Sequence, residues 1–297
     1  MDSHNSSGYR AGDCGACPHA GTHAETRKTR GLSPHATTPP DDALPGREPV
    51  PTQANAGGLG ACPLTGHASS SDAVLIEPIA YIRTPFGSKF GVPRQSGIAE
   101  AVEAVIEFTP RYCNSDALRG IEGFSHLWLI WGFHQARRDD GSWTPLVRPP
   151  RLGGNEKVGV FACRSPFRPN NLGLSAVALS GVDLQDGACA IKVRGADLVD
   201  GTPIYDIKPY IPFADSIPDA IGGFASSGAP EKLKVICPDH ILREFGDDAE
   251  ALIEVLSCDP RPAFHKDPDR IYGMTFVSRE VRFRVDSSSV VHVLSVE

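Results

Sequence analysis

Short apolar stretches separated by turn residues recur through the middle of the chain. Gly, Pro and Asn/Asp residues interrupt them, and the pattern predicts strands over residues 73–83, 103–108, 124–134, 157–163, 174–184, 188–194 and 203–209. Long helical patterns are absent from this region, so the spacing indicates an all-β barrel or sandwich. The run FSHLWLIWGFH is apolar on both faces, and we therefore expect it at the centre of the sheet.

The pattern changes near residue 214. The stretch PDHILREFGDDAEALIEVLSC predicts helix, and IYGMTFVSREVRFRV and VVHVLSV predict two or three strands after it. A helix followed by a small antiparallel sheet forms a compact α+β unit. We therefore expect a mainly β domain over residues 72–213 and a small α+β domain over residues 214–297.

The first 71 residues have almost no apolar periodicity and are rich in Gly, Ala, Ser, Thr, Pro and His. Such a segment buries too little apolar surface to offset its ordering entropy, which predicts a disordered extension. Its potential zinc ligands are Cys14, Cys17, His19, His23, Cys62 and His67. A zinc site needs two closely spaced pairs, and the second half supplies one Cys and a distant His, so we favour an extension without metal.

The composition of the chain and the distribution of its cysteines indicate the compartment in which we expect the protein. The chain of 297 residues is 40% hydrophobic and 22% charged, which is ordinary for a globular protein. No apolar run approaches the roughly 20 residues of a membrane helix, and no secretory signal pattern is seen, so no membrane partner is expected. The eight cysteines are scattered and are interpreted as reduced thiols of a cytoplasmic protein.

The net charge of −7 argues against a nucleic-acid partner, but the charge is uneven. Residues 137–168 hold seven basic groups against three acidic ones. A phosphate backbone responds to a local patch, so this stretch is a candidate docking surface, with a solvated loop face as the alternative. Within it, Arg164 and Arg168 directly follow an apolar run, a position typical of arginines that hold a planar anion or a base edge.

Four longer phrases identify a resemblance. They are YIRTPFGSKFGVPRQSG, IEGFSHLWLIWGFHQ, VGVFACRSPFRPNNLGLSAV and DLVDGTPIYDIKPYIPFADS, and together they closely resemble the TsaA/TrmO family of tRNA methyltransferases. DPRPAF and IYGMTF resemble the family's bacterial C-terminal extension, so the similarity spans residues 74 to about 286. The chain departs from the family at Cys163 and at Asn171–Leu172, where Thr and Pro-Ile are common, and neither change removes a charged or donor group.

The resemblance implies an S-adenosylmethionine-dependent enzyme that methylates the exocyclic amine of threonylcarbamoyladenosine, the modified base just 3′ of the tRNA anticodon. It also implies an antiparallel β-barrel catalytic domain, a cofactor site near a homodimer interface and no Rossmann-like sheet. The sequence agrees on the last point, since no strand is followed by a Gly-rich loop that opens a helix.

The cofactor residues that the resemblance implies fall in four segments. They are Arg94, Gln95 and Ser96; Phe133, His134 and Gln135; Arg164 and Leu174; and Asp197 and Asp200. An arginine suits the methionine carboxylate, and an aspartate suits the ribose hydroxyls or the amino group. The structural alternatives are a surface turn at Arg94, a capping His134, a core Leu174 and an Asx turn at Asp200.

The substrate residues are assigned from charge and aromatic character. We expect Arg168 to hold the threonyl carboxylate, and further contacts from Lys208, Tyr210, Arg261 and Tyr272. Lys208 could instead form a structural pair with Asp206, and the acidic C-terminal unit could serve packing or dimerisation. His134 and then Asp197 are the candidate proton acceptors.

Two other functions remain open from the residues alone. A non-enzymatic RNA-binding β-barrel would also carry basic loops and aromatic side chains. A methyltransferase acting on a small metabolite would use the same cofactor residues without tRNA.

Overall fold

The computed structural model describes residues 74–136, 143–149, 156–185, 187–226, 228, 231–262, 265 and 267–297. They belong to one compact unit, residues 67–297. The predicted N-terminal extension with its six Cys and His residues lies outside the described residues, as do Arg137, Arg138 and Arg151 of the basic stretch.

Six strands form a closed antiparallel barrel in the order β1-β2-β7-β6-β3-β8. Their bounds are β1 Ala80–Arg83, β2 Glu103–Phe108, β3 His126–Gly132, β6 Leu172–Asp183, β7 Ala190–Arg194 and β8 Thr202–Pro209. A two-stranded sheet, β4 Leu146–Val147 with β5 Val158–Gly159, lies between β3 and β6 in the sequence. The expected mainly β fold is confirmed, and it is a barrel and not a sandwich.

The alternation of buried and exposed residues shows which face of each strand lines the inside of the barrel. In β2, Ala104 and Ile106 are buried, while Glu103 and Glu107 are exposed. Glu107 then pairs with Arg83 on the neighbouring strand at 2.8 Å. Since successive residues of a strand point to opposite faces, this pattern holds each strand in a single register.

The strand β3 lies between β6 and β8. Because every strand of a closed barrel has two neighbours, the expected place at the centre of a sheet does not distinguish β3. Leu127, Leu129 and Trp131 point into the core and are at most 7% exposed. On the outer face Trp128 packs against Tyr210, with ring centroids 5.5 Å apart. Both faces are therefore covered, which explains the absence of a polar alternation.

The antiparallel order brings six strand ends to one end of the barrel. Register pairs there join Arg83 with Val105, Gly132 with Leu172, and Ile82 with Thr202. The loops 84–102, 133–171 and 195–201 therefore all leave from this end, which we call the loop end.

The C-terminal residues form a four-stranded sheet covered by two helices. The sheet order is β10 Tyr272–Phe276, β11 Arg279–Val285, β12 Val290–Val296 and β9 Lys234–Ile236, with β9 parallel to β12. The helices are α2 Asp239–Phe245 and α3 Ala249–Ser257, and a four-residue helix, α1 Pro212–Asp215, precedes them. The predicted helical stretch is divided at Gly246, whose φ of 53° ends α2.

The loop 84–102 enters the core of this C-terminal unit. Phe86, Ala99 and Val102 are buried in the same cluster as Phe276 and Phe283. Phe86 meets Phe276 edge-on at 5.8 Å. The loop that leaves β1 is consequently held by the second hydrophobic core and not by the barrel alone.

Some predicted strands are shorter than their apolar runs. The stretch 73–83 forms a strand over Ala80–Arg83, and 157–163 forms Val158–Gly159 followed by a 3-10 turn at Val160–Ala162. The strands β4 and β9 were missed because two or three residues carry no readable alternation. Among the described residues, no helix combines the length and apolar character needed to cross a bilayer.

The expectation that all cysteines are reduced thiols is wrong for one pair. Cys113 and Cys189 form a disulfide, with Cα atoms 5.2 Å apart. Pairing of β2 with β7 brings the residues after β2 close to the start of β7, although the cysteines are 76 positions apart in sequence. Cys163, Cys237 and Cys258 are free thiols.

Loss of this cross-link should destabilise the protein. We expect Cys113→Ser to lower the free energy of unfolding by about 2–4 kcal/mol, because the disulfide restricts the unfolded chain. Urea denaturation measures this, and dithiothreitol should lower the midpoint of the natural sequence similarly. Cys237→Ser is the matched control and should keep its sensitivity to the reductant. Identical midpoints with and without reductant would show that the bond does not form in solution.

Candidate functional site

Most of the predicted site residues meet at the loop end of the barrel. The loop 84–102 carries Arg94, Gln95 and Ser96, and the segment after β3 carries Phe133, His134 and Gln135. The chain before β6 carries Arg164 and Arg168, and the loop 195–201 carries Asp197 and Asp200. Residues separated by up to about a hundred positions are thereby gathered by the strand order.

Asp197 is held by a buried polar chain. Its Oδ1 accepts a hydrogen bond from Oγ of Ser175 at 2.6 Å, and that Oγ accepts one from Nε1 of Trp131 at 3.0 Å. Burial raises the pKa of Asp197, while the hydrogen bond from Ser175, the nearby charge of Arg164 and the backbone N–H of Ser96 lower it. The carboxyl is therefore an ionisable group in a partly desolvated place, which is typical of functional sites.

Sequence reasoning missed Ser175 and Trp131. Ser175 is 1% exposed and occupies an inward position of β6 between apolar neighbours. A polar residue at an inward strand position requires a partner, and this was the signal available.

A second set of contacts links the arginines. Arg164 donates to Oε1 of Gln95, whose side-chain amide donates to the carbonyl of Arg94. Nη2 of Arg94 donates to the carbonyl of Arg261 at 2.8 Å. Arg168 donates to the carbonyl of Cys163 at 3.3 Å. Within the described part of the chain, Arg94, Arg164 and Arg168 form no ion pair within 4.0 Å, so their positive charge is available to an anion.

His134 lies in the segment after β3, and its surroundings favour the neutral imidazole ring. Its Nδ1 is 3.4 Å from Oγ1 of Thr202, which itself donates to the carbonyl of Val199 at 2.6 Å. Since that hydroxyl proton is used, the oxygen can accept from Nδ1–H, a tautomer that leaves Nε2 basic. Burial and then the charge of Lys89 lower the pKa of His134, and Asp200 opposes them.

Asp200 has structural partners. Its Oδ1 accepts from the backbone N–H of Thr84 at 3.1 Å, and its Oδ2 is 3.8 Å from Nη1 of Arg83. Gly201 follows with a φ of 72°. These contacts fasten the loop 195–201 to the end of β1. They are long-range contacts and not the local Asx turn that was the structural alternative for this residue.

Two apolar residues line the same end. Phe133 packs edge-on against Trp131 with centroids 4.3 Å apart. Leu174 is 57% exposed, so the interpretation of Leu174 as a core residue is wrong. Trp143 and Phe161, whose rings lie 6.1 Å apart, are also exposed, at 46% and 74%.

Lys208 and Tyr210 do not reach the loop end. The strand β8 begins there and runs away, and Lys208 is paired in register with Trp128 near the start of β3. Lys208 forms an ion pair with Asp206 at 3.0 Å, which is the structural alternative. Tyr210 packs on Trp128 and on His126, 6.3 Å away. The prediction that Lys208 and Tyr210 belong with Arg168 in one group of substrate residues is therefore corrected: they lie away from the loop end.

The two C-terminal residues also differ from expectation. Tyr272 is 6% exposed and stacks with Phe283 at 5.6 Å, so it has no open ring face for a base. Arg261 makes a bidentate pair with Asp259 at 2.8 and 2.9 Å, which raises the pKa of Arg261 and neutralises its charge. It contributes to the loop end through its carbonyl, which holds Arg94.

Two clefts include loop-end residues, and neither is lined by Arg164 or Arg168. A cleft of about 510 Å³ lies between β1, β2, β7 and the β10–β11 turn, and Asp200 is the one predicted site residue in its lining. A smaller one of about 160 Å³ includes Lys89 and Arg94. No group of three or more candidate metal ligands occurs among the described residues.

Family models match both parts of the chain. Residues 81–216 match the tRNA-methyltransferase O N-terminal domain, and residues 232–297 match the TrmO C-terminal domain. The chain belongs to the TrmO family. The resemblance recognised in the sequence phrases is confirmed by these matches.

Individual relatives agree. The tRNA (adenine(37)-N6)-methyltransferase of Escherichia coli is 41% identical over 218 residues, which cover 70% of this chain and 92% of the relative. A putative S-adenosylmethionine-dependent methyltransferase, RcsF, of Pseudomonas aeruginosa is 40% identical over 229 residues, covering 74% and 96%. A TrmO crystal structure from Pseudomonas aeruginosa has a TM-score of 0.62 at 33% identity and covers 76% of this chain and 98% of its own.

The close packing of Trp131 against Gly173 should contribute to the stability of this TrmO family member. A Cβ at Gly173 would lie 2.3 Å from Cε2 of Trp131, and both strands are fixed by the barrel. Gly173→Ala should therefore lower the free energy of unfolding by about 1–3 kcal/mol. Gly181→Ala on the same strand is the control, because its added Cβ meets nothing within 4 Å. Equal urea midpoints for the two variants would contradict the tight packing.

Proposed function

We propose that this protein is an S-adenosylmethionine-dependent tRNA methyltransferase that methylates the exocyclic amine of adenosine 37 in its N6-threonylcarbamoyl form. The observation that carries the proposal is a set of three arginines that form no ion pair within 4.0 Å in the described part of the chain. They share the loop end of a TrmO-family barrel with His134 and Asp197, and the charge of Arg164 also acts on Asp197. The names of the relatives support the reaction class and the cofactor.

The cofactor contacts are proposed for the residues nearest Asp197. Arg94 and Arg164 suit the methionine carboxylate, because each guanidinium binds neutral acceptors in this structure and keeps its charge. Phe133 and the exposed Leu174 offer apolar surface to the adenine, and Asp197 suits the amino group or the ribose hydroxyls. Gln95, Ser96 and Gln135 complete this set, with Asp200 as a support for the loop.

Methyl transfer requires alignment and a place for a proton. The carbon–sulfur bond breaks with its electron pair going to sulfur, while the new nitrogen–carbon bond forms and the amine proton departs. The acceptor nitrogen is part of a urea-like group and is poorly nucleophilic, so orientation contributes most of the acceleration. His134 is the first candidate proton acceptor because its contacts favour a neutral ring with Nε2 basic, and Asp197 is the second.

The threonyl carboxylate is the distinguishing charge of the modified base. Arg168 follows Arg164 by four positions and donates to the carbonyl of Cys163, which leaves part of its guanidinium fork for an anion. We assign it to that carboxylate.

A homodimer is part of the proposal. Trp143, Phe161 and Leu174 expose apolar surface near the arginines, and a second copy of the chain would cover it. This is consistent with a cofactor site near a subunit interface.

The reaction is tested on tRNA nucleosides. Mass spectrometry of tRNA from a deletion strain should lack methylated threonylcarbamoyladenosine, and the purified protein should restore it. If calorimetry found no binding of S-adenosylmethionine, an RNA-binding barrel without catalysis would replace this proposal. Turnover of a small acceptor that is indifferent to tRNA would indicate a metabolite methyltransferase.

Arg168 should determine the preference for the modified base. We expect Arg168→Ala to raise KM for tRNA about tenfold and to erase the preference for modified over unmodified adenosine, because the carboxylate loses its partner. Arg168→Lys should recover the charge and only part of the preference, since it lacks the fork. Arg119→Ala removes an exposed arginine already paired with Asp116 and serves as control. A preference retained in Arg168→Ala would refute the assignment.

The pH dependence should report His134. A proton acceptor works when unprotonated, so kcat/KM should fall as the pH drops through the pKa of His134, which lies below the ordinary histidine value. Lys89→Gln removes a charge that lowers this pKa, so the acidic limb should move to higher pH. His134→Ala should lower kcat and leave cofactor affinity largely unchanged. Lys192→Gln is the control, and an unmoved limb in Lys89→Gln would exclude His134 as the acceptor.

A further inference from the structure

The hydroxyl of Ser175 has both of its roles fixed by its neighbours. The indole N–H of Trp131 is a donor with no acceptor capacity, so the contact at 3.0 Å uses a lone pair of Oγ. The proton of Oγ is then directed to Oδ1 of Asp197 at 2.6 Å. The two hydrogen bonds therefore run in one direction only, from Trp131 to Ser175 and from Ser175 to Asp197.

The residues around Trp131 and Ser175 restrict the movement of these two hydrogen-bonded side chains. Trp131 is 7% exposed and Ser175 is 1% exposed, so water does not compete for the hydroxyl. A side chain at Gly173 would overlap the indole, and Phe133 packs against the ring at 4.3 Å, so the ring has little room to move. A buried hydroxyl with a fixed proton is a strong local dipole.

The hydrogen bond from Ser175 makes the two carboxylate oxygens of Asp197 inequivalent. Oδ1 accepts from Ser175, and Oδ2 accepts from no other side chain among the described residues. The groups that act on the carboxyl are Ser175 on β6, the backbone N–H groups of Asp197 itself and of Ser96, and the charge of Arg164. All of them favour the ionised form against its burial.

We propose that Ser175, oriented by Trp131, is a positioning residue for methyl transfer that fixes Oδ1 of Asp197 and so orients the carboxylate toward the cofactor or the base. This rests on the proposed function. Ser175 is 1% exposed, so its effect passes through the carboxylate. It lies at an inward position of β6 close to the loop end.

The first test does not depend on activity. Carbon-13 NMR of the protein labelled at aspartate carboxyls follows the titration of Asp197, with Asp197→Asn to assign its signal. Ser175→Ala removes a hydrogen bond to the ionised form, so the titration midpoint of Asp197 should move to higher pH. Ser180→Ala, on the exposed side of the same strand, should leave it unchanged. An unchanged midpoint in Ser175→Ala would overturn the proposal.

The second test is the pH profile of methyl transfer. Protonation of Asp197 should lower kcat/KM separately from the limb that reports His134. In Ser175→Ala this Asp197-dependent fall should move to higher pH, with a loss of roughly tenfold at the acid end that recovers toward alkaline pH, while the limb that reports His134 stays in place. A uniform loss at every pH would indicate a merely structural serine and would overturn the proposal. Trp131→Phe keeps the ring and removes the N–H, and it should give a smaller shift of the same sign; this variant decides the matter if Ser175→Ala does not fold.

Failure of the proposed function is distinguishable from failure of this inference. If the natural sequence did not methylate tRNA, the reaction would be wrong while the NMR midpoint still measured the positioning. If tRNA were methylated and neither the NMR midpoint nor the Asp197-dependent fall moved in Ser175→Ala, the reaction would stand and the role of Ser175 would be wrong.

Discussion

Closure of the six-stranded barrel is the constraint on which the rest of this structure depends. With every strand hydrogen-bonded on both sides, no edge remains, and the register of each strand is fixed by two neighbours. The antiparallel order then places six strand ends together, so loops from distant parts of the sequence form one surface. The loop 84–102 receives additional support because Phe86 is anchored in the C-terminal core.

Polar groups inside an apolar barrel are costly unless they form hydrogen bonds. The indole N–H of Trp131 and the hydroxyl of Ser175 both do, and Gly173 leaves room for the indole. Two strand residues thereby hold the carboxyl of Asp197, which lies in the loop 195–201. Support from strands restricts the position of a loop side chain more closely than support from loops alone.

Local charge matters more than the total at this site. The chain carries a net charge of −7, yet Arg94, Arg164 and Arg168 at the loop end have no carboxylate within ion-pairing distance in the described residues. Acidic side chains instead neutralise arginines elsewhere, as Asp259 does for Arg261. Electrostatic attraction of a polyanion is therefore concentrated at the loop end, where His134 and Asp197 also lie.

The sequence by itself determined the fold class and the family, because alternation and long phrases such as VGVFACRSPFRPNNLGLSAV are local properties of the chain. It also indicated His134, Arg164 and Asp197. The tertiary structure decided which of the predicted residues meet: it buried Tyr272 and joined Cys113 with Cys189. It also gave Asp197 the partner Ser175. These outcomes depend on strand order and register, which bring together residues far apart in sequence, and no pattern within a single segment encodes such pairings.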